Sequence, residues 1–250
     1  MDKLLGIAYT CFLLLIIAFP ASAQRTVNAL ENGGVYWTRY YVEFELSDKL
    51  KLDAEVDNRR FFSPARQFQT IVRSTLYYKK TNNFNFGAGL AYSQLYSIYT
   101  PIVQPEIRPH QEANFTHSHD KWNFNHRLRT EQRFRGDTVR TFLTPEEVDE
   151  QTIGTYSFDI RARYEFTTDF TIVEKNRQKG HWTIQLATEI MAHMDSDEFF
   201  DTYRFYGGFQ YYLNERIRME LGYLKSTEKD YRYDTLFNYE NLRFTFRHKL

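Results

Sequence analysis

His193, Asp195, Ser196, Asp197 and Glu198 lie close together in the chain, and this mixture of imidazole, hydroxyl and carboxylate could supply an acid/base pair for hydrolysis or hard oxygen ligands for a cation. A second candidate is His117-x-His119 followed by Asp120, whose imidazoles would share a transition metal if both turned the same way. Neither group sits on an element that would fix it: the first reads as a solvated acidic loop, the second as an exposed polar turn. A glycine-rich phosphate loop, a C-x-x-C pair and a metalloprotease H-E-x-x-H helix are all missing from the sequence. The residues therefore predict no catalytic site, no metal and no cofactor.

The elements that carry the other charges are more informative. The 250 residues include 32 basic and 32 acidic side chains, 42% hydrophobic and 18% aromatic residues, with a mean hydropathy of -0.60. Without a concentrated positive field the chain is not a nucleic-acid binder. Its apolar content excludes disorder, and its polar average excludes a helical membrane bundle. Asp2 and Lys3 precede an apolar run from Leu4 to Phe19, then Pro20 and Ala21-Ser22-Ala23, the pattern of a signal peptide cleaved before Gln24. This divides the chain into a signal peptide over 1–23 and one domain over 24–250. The single cysteine, Cys11, falls in the first part, and an exported domain without cysteine points to a bacterial envelope.

Beyond Gln24 the apolar residues recur with a period of two, the mark of strands, whose successive side chains face opposite ways. Leu50, Leu52, Ala54 and Val56 alternate with Lys51, Asp53, Glu55 and Asp57. Trp122, Phe124, Leu128 and Phe134 alternate with Arg127, Arg129, Glu131 and Arg133, and Phe158, Ile160, Ala162, Tyr164 and Phe166 with Asp159, Arg161, Arg163 and Glu165. Similar segments run from Phe84, Trp182, Tyr203, Ile217 and Leu242, with weaker ones over 36–46, 69–79 and 106–115. Pro105 and Pro109 are expected to shorten or bulge the last of these.

Connections of about 47–49, 61–66, 80–83, 96–105, 116–121, 135–152, 167–180, 193–201, 213–216 and 226–236 alternate short and long, except 167–180. Tight periplasmic turns and longer extracellular loops have this pattern, so the fold predicted is an all-β transmembrane antiparallel up-and-down β-barrel. Tyr77, Tyr78, Trp122 and Tyr211 then fall at periplasmic strand ends and Tyr92, Tyr203 and Tyr223 at the opposite ends, with Trp182 completing two aromatic belts. Trp37 does not fit, since it shares the parity of Arg39 and Glu43. Eleven strands are readable, but bacterial barrels use even numbers so that both termini end in the periplasm. A further strand near Arg25–Leu30, turned by Glu31-Asn32-Gly33-Gly34, makes twelve the expected count and ten the alternative.

In a small barrel the charged faces line the lumen. Glu131, Asp159 and Glu165 are placed to bridge Arg127, Arg129, Arg133 and Arg163 across one seam, while closure brings Arg243, Arg247 and Lys249 near Arg39, Glu43 and Glu45. Such a network either fills the lumen or lines a narrow pore of mixed charge.

Arg127-x-Arg129-x-Glu131-x-Arg133 preceded by Trp122, the earlier Glu106-x-Arg108, and Tyr211-Tyr212-Leu213 leading to Met219-Glu220-Leu221-Gly222-Tyr223 resemble the family catalogued as domain of unknown function 2490. The resemblance spans about 35–250 and implies an outer-membrane barrel of Gram-negative bacteria, with no activity or catalytic residues attached. The expected partners are outer-membrane lipid, the barrel-assembly machinery that reads the last strand, and small solutes. The function expected is structural or porin-like; the alternatives are a barrel lipase or protease using His193 and Asp195, and a docking component of the envelope.

Overall fold

The computed structural model describes residues 26–28, 34–63, 65–97, 102–142, 148–173, 180–194, 199–230 and 235–250. The expected signal peptide over 1–23 lies outside them, as do Asp195, Ser196, Asp197 and Glu198. The described strands are β1 (Thr26–Asn28), β2 (Val35–Glu45), β3 (Leu50–Phe61), β4 (Gln67–Lys79), β5 (Phe84–Tyr96), β6 (Val103–His119), β7 (Trp122–Phe142), β8 (Val148–Val173), β9 (His181–His193), β10 (Phe200–Tyr212), β11 (Ile217–Asp230) and β12 (Thr235–Lys249).

From β2 to β12 each strand pairs antiparallel with the next, and the sheet closes when Asn241–Lys249 of β12 pairs with Val35–Glu43 of β2. That closing pair is parallel. The expectation of twelve strands, or ten, is therefore corrected: the barrel has eleven staves. A segment at the position expected for the extra strand does exist, but β1 pairs parallel with Leu236–Asn238 of β12, on the strand that also pairs with β2. It prolongs the first stave and adds none. An odd count forces the first and last staves to run the same way, so the chain enters the barrel at one rim, here called upper, and leaves it at the lower rim.

The connections at the lower rim (46–49, 80–83, 120–121, 174–180 and 213–216) differ little in length from those at the upper rim (62–66, 97–102, 143–147, 194–199 and 231–234). The contrast expected from the sequence shrinks because strands extend into stretches read as loop. In the largest case β7 and β8 continue through most of 135–152, past a register shift between Gly136 and Thr138. The prolines do not shorten β6 either. Val103 to Pro105 pair with β5 alone; the ladder to β7 starts at Glu106–Arg135, just past Pro105, lapses at Arg108 and Pro109, where proline has no N–H to donate, and resumes at His110–Glu131.

Parity does the remaining work. Asp53, Asp57, Arg129, Glu131, Arg161 and Arg163 are buried inside the closed sheet, whereas Val56, Leu90, Leu128, Phe158, Phe209 and Leu221 are exposed on its outside. Inward-facing glycines let large side chains lie flat on the wall. The Tyr206 ring covers Gly208 and Gly222, where a Cβ would stand 2.5 Å from ring atoms in the second case. At Gly89 a Cβ would lie 2.1 Å from the Ser74 carbonyl oxygen and 2.6 Å from the His110 ring. Backbone of a paired strand cannot yield as a side chain does, so Gly89→Ala is expected to destabilise the barrel by about 3 kcal/mol, at the upper end for overpacking. The temperature at which the folded form is lost on a gel measures this; a variant as heat-resistant as the parent would refute the close approach.

Candidate functional site

The interior is a field of guanidinium and carboxylate groups held by strand register. Across β7 and β8, Arg127 stands opposite Glu165, Glu131 opposite Arg161, and Arg133 opposite Asp159. Glu131 is the hub. Its Oε2 accepts from Arg161 at 2.6 Å, its Oε1 from Arg163 at 2.7 Å, and Arg129 approaches to 3.7 Å. Arg163 also donates to Glu189 at 2.6 Å, and Arg127 to Glu165 at 2.8 Å and to Glu189 at 3.1 Å. Arg133 reaches Glu106 at 2.6 Å and Asp159 at 3.6 Å. All eight residues singled out on these two strands thus face inward and belong to one network.

The sequence reading missed Glu189, Glu112, Asp201 and Arg204. Arg129 donates to Glu112 at 2.6 Å, Arg161 to Asp201 at 3.0 Å, and Arg204 approaches Glu189 to 3.5 Å. The signal was available on β9, where Thr183, Gln185, Ala187 and Glu189 hold the positions between Trp182, Ile184, Leu186 and Thr188. On β6 it was obscured by the prolines between Glu106, Arg108, His110 and Glu112.

Outside, Tyr78, Trp122, Trp182 and Tyr211 form the lower aromatic group, with Trp182 and Tyr211 rings 4.7 Å apart. On the same outer face Tyr92 and Tyr203 lie in the upper halves of β5 and β10, whereas Tyr223, expected at a strand end, falls midway along β11. Tyr77 is a correction. It shares the parity of Arg73 and Thr75, points inward, and donates its hydroxyl to Glu112. Two adjacent residues of a strand cannot both face out. Trp37 is explained by the same rule: it is buried inside, with the Arg59 guanidinium 3.7 Å over its ring.

Closure places Arg247 3.9 Å from Glu43 and Lys249 3.1 Å from Glu45. Despite these pairs the lumen is not filled. A cavity of about 1590 Å³ runs between the walls, lined from Asp137 and Lys229 near the upper rim to Asn123 and Glu43 near the lower one. The ion pairs of the network lie along the wall of this cavity.

Of the candidate catalytic groups, His193 and the His117-x-His119 pair lie among the described residues, while Asp195 to Glu198 do not. His193 lies inside the barrel, 4.0 Å from Asp159 and 3.9 Å from Asp201, at the edge of the charge network. His117 is on the outer face, its ring stacked 4.9 Å from that of Phe124. Among the described residues no three His, Cys, Asp or Glu side chains are grouped to hold a metal.

A closed antiparallel β-barrel with a charged interior and an apolar exterior is the porin-like class of fold. In keeping with this, a solved structure described as a NanC porin superposes with a TM-score of 0.50 at 13% identity, covering 87% of this chain and 98% of that one. The chain belongs to the family described as "Protein of unknown function (DUF2490)", whose model matches residues 34–236. No curated protein matches the sequence.

Proposed function

We propose that the chain is exported on its first 23 residues, inserts into the outer membrane of a Gram-negative, Bacteroidota-like bacterium, and forms a narrow pore for small polar solutes. The observation that carries this reading is the cavity lined by charge from rim to rim inside a wall whose outer face is apolar and bounded by aromatic groups. In a bilayer that outer face meets lipid, and the aromatic groups sit at the headgroups. The barrel-assembly machinery would read β12, whose outward Leu242, Phe244 and Phe246 continue in phase to Leu250. The proposal assigns the chain no catalytic step, no cofactor and no metal. The salt-bridge network is its structural half, holding a polar wall rigid around the passage.

Purified mature protein, added to a planar bilayer, is expected to give discrete current steps, and the unheated protein to migrate differently from the boiled one. A chain recovered entirely from the soluble periplasmic fraction would remove the membrane reading. A barrel that inserts but passes no current at any voltage would remove the pore.

A further inference from the structure

Most lumen charges are matched. On the wall of β6 to β9 each described inward guanidinium has a carboxylate, and at the lower rim Arg247 donates to Glu220 at 2.6 Å while Arg218 lies 3.1 Å from the same group. The seam between β12 and β2 is different. Register sets Arg243 beside Trp37 and Trp37 beside Arg59, with Arg39 opposite Asp57. Arg59 pairs with Asp57 at 3.0 Å, and Arg39 reaches the same oxygen only at 3.9 Å. Arg243 makes no ion pair among the described residues; its guanidinium lies 3.7 Å over the Tyr206 ring and close enough to Arg39 to repel it. Arg39 and Arg59 thus share the Asp57 carboxylate, and Arg243 stands beside them without an ion pair of its own, with Glu55 and Glu220 acting only from farther off.

The donors point to what is lacking. The Nε atoms of Arg39, Arg59 and Arg243 and the indole Nε1 of Trp37 are buried without a hydrogen-bond acceptor in the protein, four donors against the one unused acceptor of the seam carboxylate, Oδ1 of Asp57. Leaving such donors unpaired is costly, and all four residues line the cavity. Beside them lies the apolar cluster inside the barrel, in which Trp37 and Tyr206 pack with Val35, Phe61 and Leu224. Excess positive charge, unused donors and apolar surface therefore meet at one place on the wall.

We infer that the seam is a binding site for small organic anions, a carboxylate received by Arg39, Arg59 and Arg243 and an apolar body laid against Trp37 and Leu224. This rests on the pore reading and names the solute class that the passage favours. A neutral sugar would leave the charge excess unmatched, and a cation would meet it directly.

The test is the mature protein in a planar bilayer under a tenfold KCl gradient, with benzoate and acetate as probes. The reversal potential is expected on the anion-selective side, and benzoate is expected to reduce chloride current at a concentration about tenfold below that needed for acetate. The double variant Arg39→Gln, Arg243→Gln should lose most of both effects. Current without anion preference, a preference unchanged in the variant, or equal action of benzoate and acetate overturns the inference while the pore stands. Should no current pass, the pore reading fails, and the site is then judged by fluorescence. With Trp122→Phe and Trp182→Phe the only indole left is Trp37, and benzoate is expected to change its emission. An unchanged emission overturns the site. If the double Arg variant does not fold, the benzoate and acetate comparison on the parent protein still decides.

Discussion

Glu131→Gln is expected to lower the stability of the barrel by about 3 kcal/mol, because it removes the charge on which Arg161 and Arg163 converge at 2.6 and 2.7 Å. The amide keeps one acceptor oxygen but turns an N–H group toward guanidiniums that are themselves donors. Glu131 is 1% exposed, so water does not replace the lost charge. Glu165 gives the comparison. Its side chain is 25% exposed and it meets Arg127 alone, so Glu165→Gln should cost under about 1 kcal/mol, the range of a pair that solvent screens. Urea unfolding of barrels refolded into lipid vesicles measures both, with the midpoint falling and the slope unchanged. Equal shifts would mean that the network does not centre on Glu131.

Leu128→Arg should be the more damaging change outside the barrel. Leu128 is 60% exposed on the outer face of β7, midway between Trp122 and Phe134. If those aromatics mark the two headgroup levels, an arginine there stands near the bilayer midplane and costs about 2–4 kcal/mol. Gln94→Arg, on the same face but beyond Tyr92, should cost about 0–1 kcal/mol. Refolding yield into vesicles separates the two. A Leu128→Arg chain that refolds as well as its parent, or gains solubility without lipid, would show that water, not hydrocarbon, covers this surface.

The two faces were legible because period two survives in nearly every strand, and the charge of Arg127 to Arg133 needed no structure to be assigned inward. Tyr77 was misplaced because it was grouped with Tyr78 by chemistry, when parity separates neighbours. Glu189 and Glu112 were missed where the apolar partners on their strands, or the prolines, drew attention from the residues between. The strand number was readable as eleven, and only the rule that bacterial barrels use even numbers moved the expectation to twelve or ten. Alternation identifies a strand but not its partner, and Thr26–Asn28 differs from a separate stave only in lying on β12 along with β2. The seam site had the same difficulty, since Trp37 and Arg243 become neighbours only through that parallel pairing.

The parallel seam also sets an order of events. Every antiparallel pair in the barrel joins strands adjacent in sequence, and so can form by local zippering. The last pair joins the two ends of the domain and carries the largest loop-closure entropy. Until it forms, Trp37 and Arg39 lie on one free edge and Arg243 on the other, and the proposed anion site is split between them. On that proposal a partly assembled sheet would have the charges of the lumen without anion selectivity, which would arise only when assembly is complete.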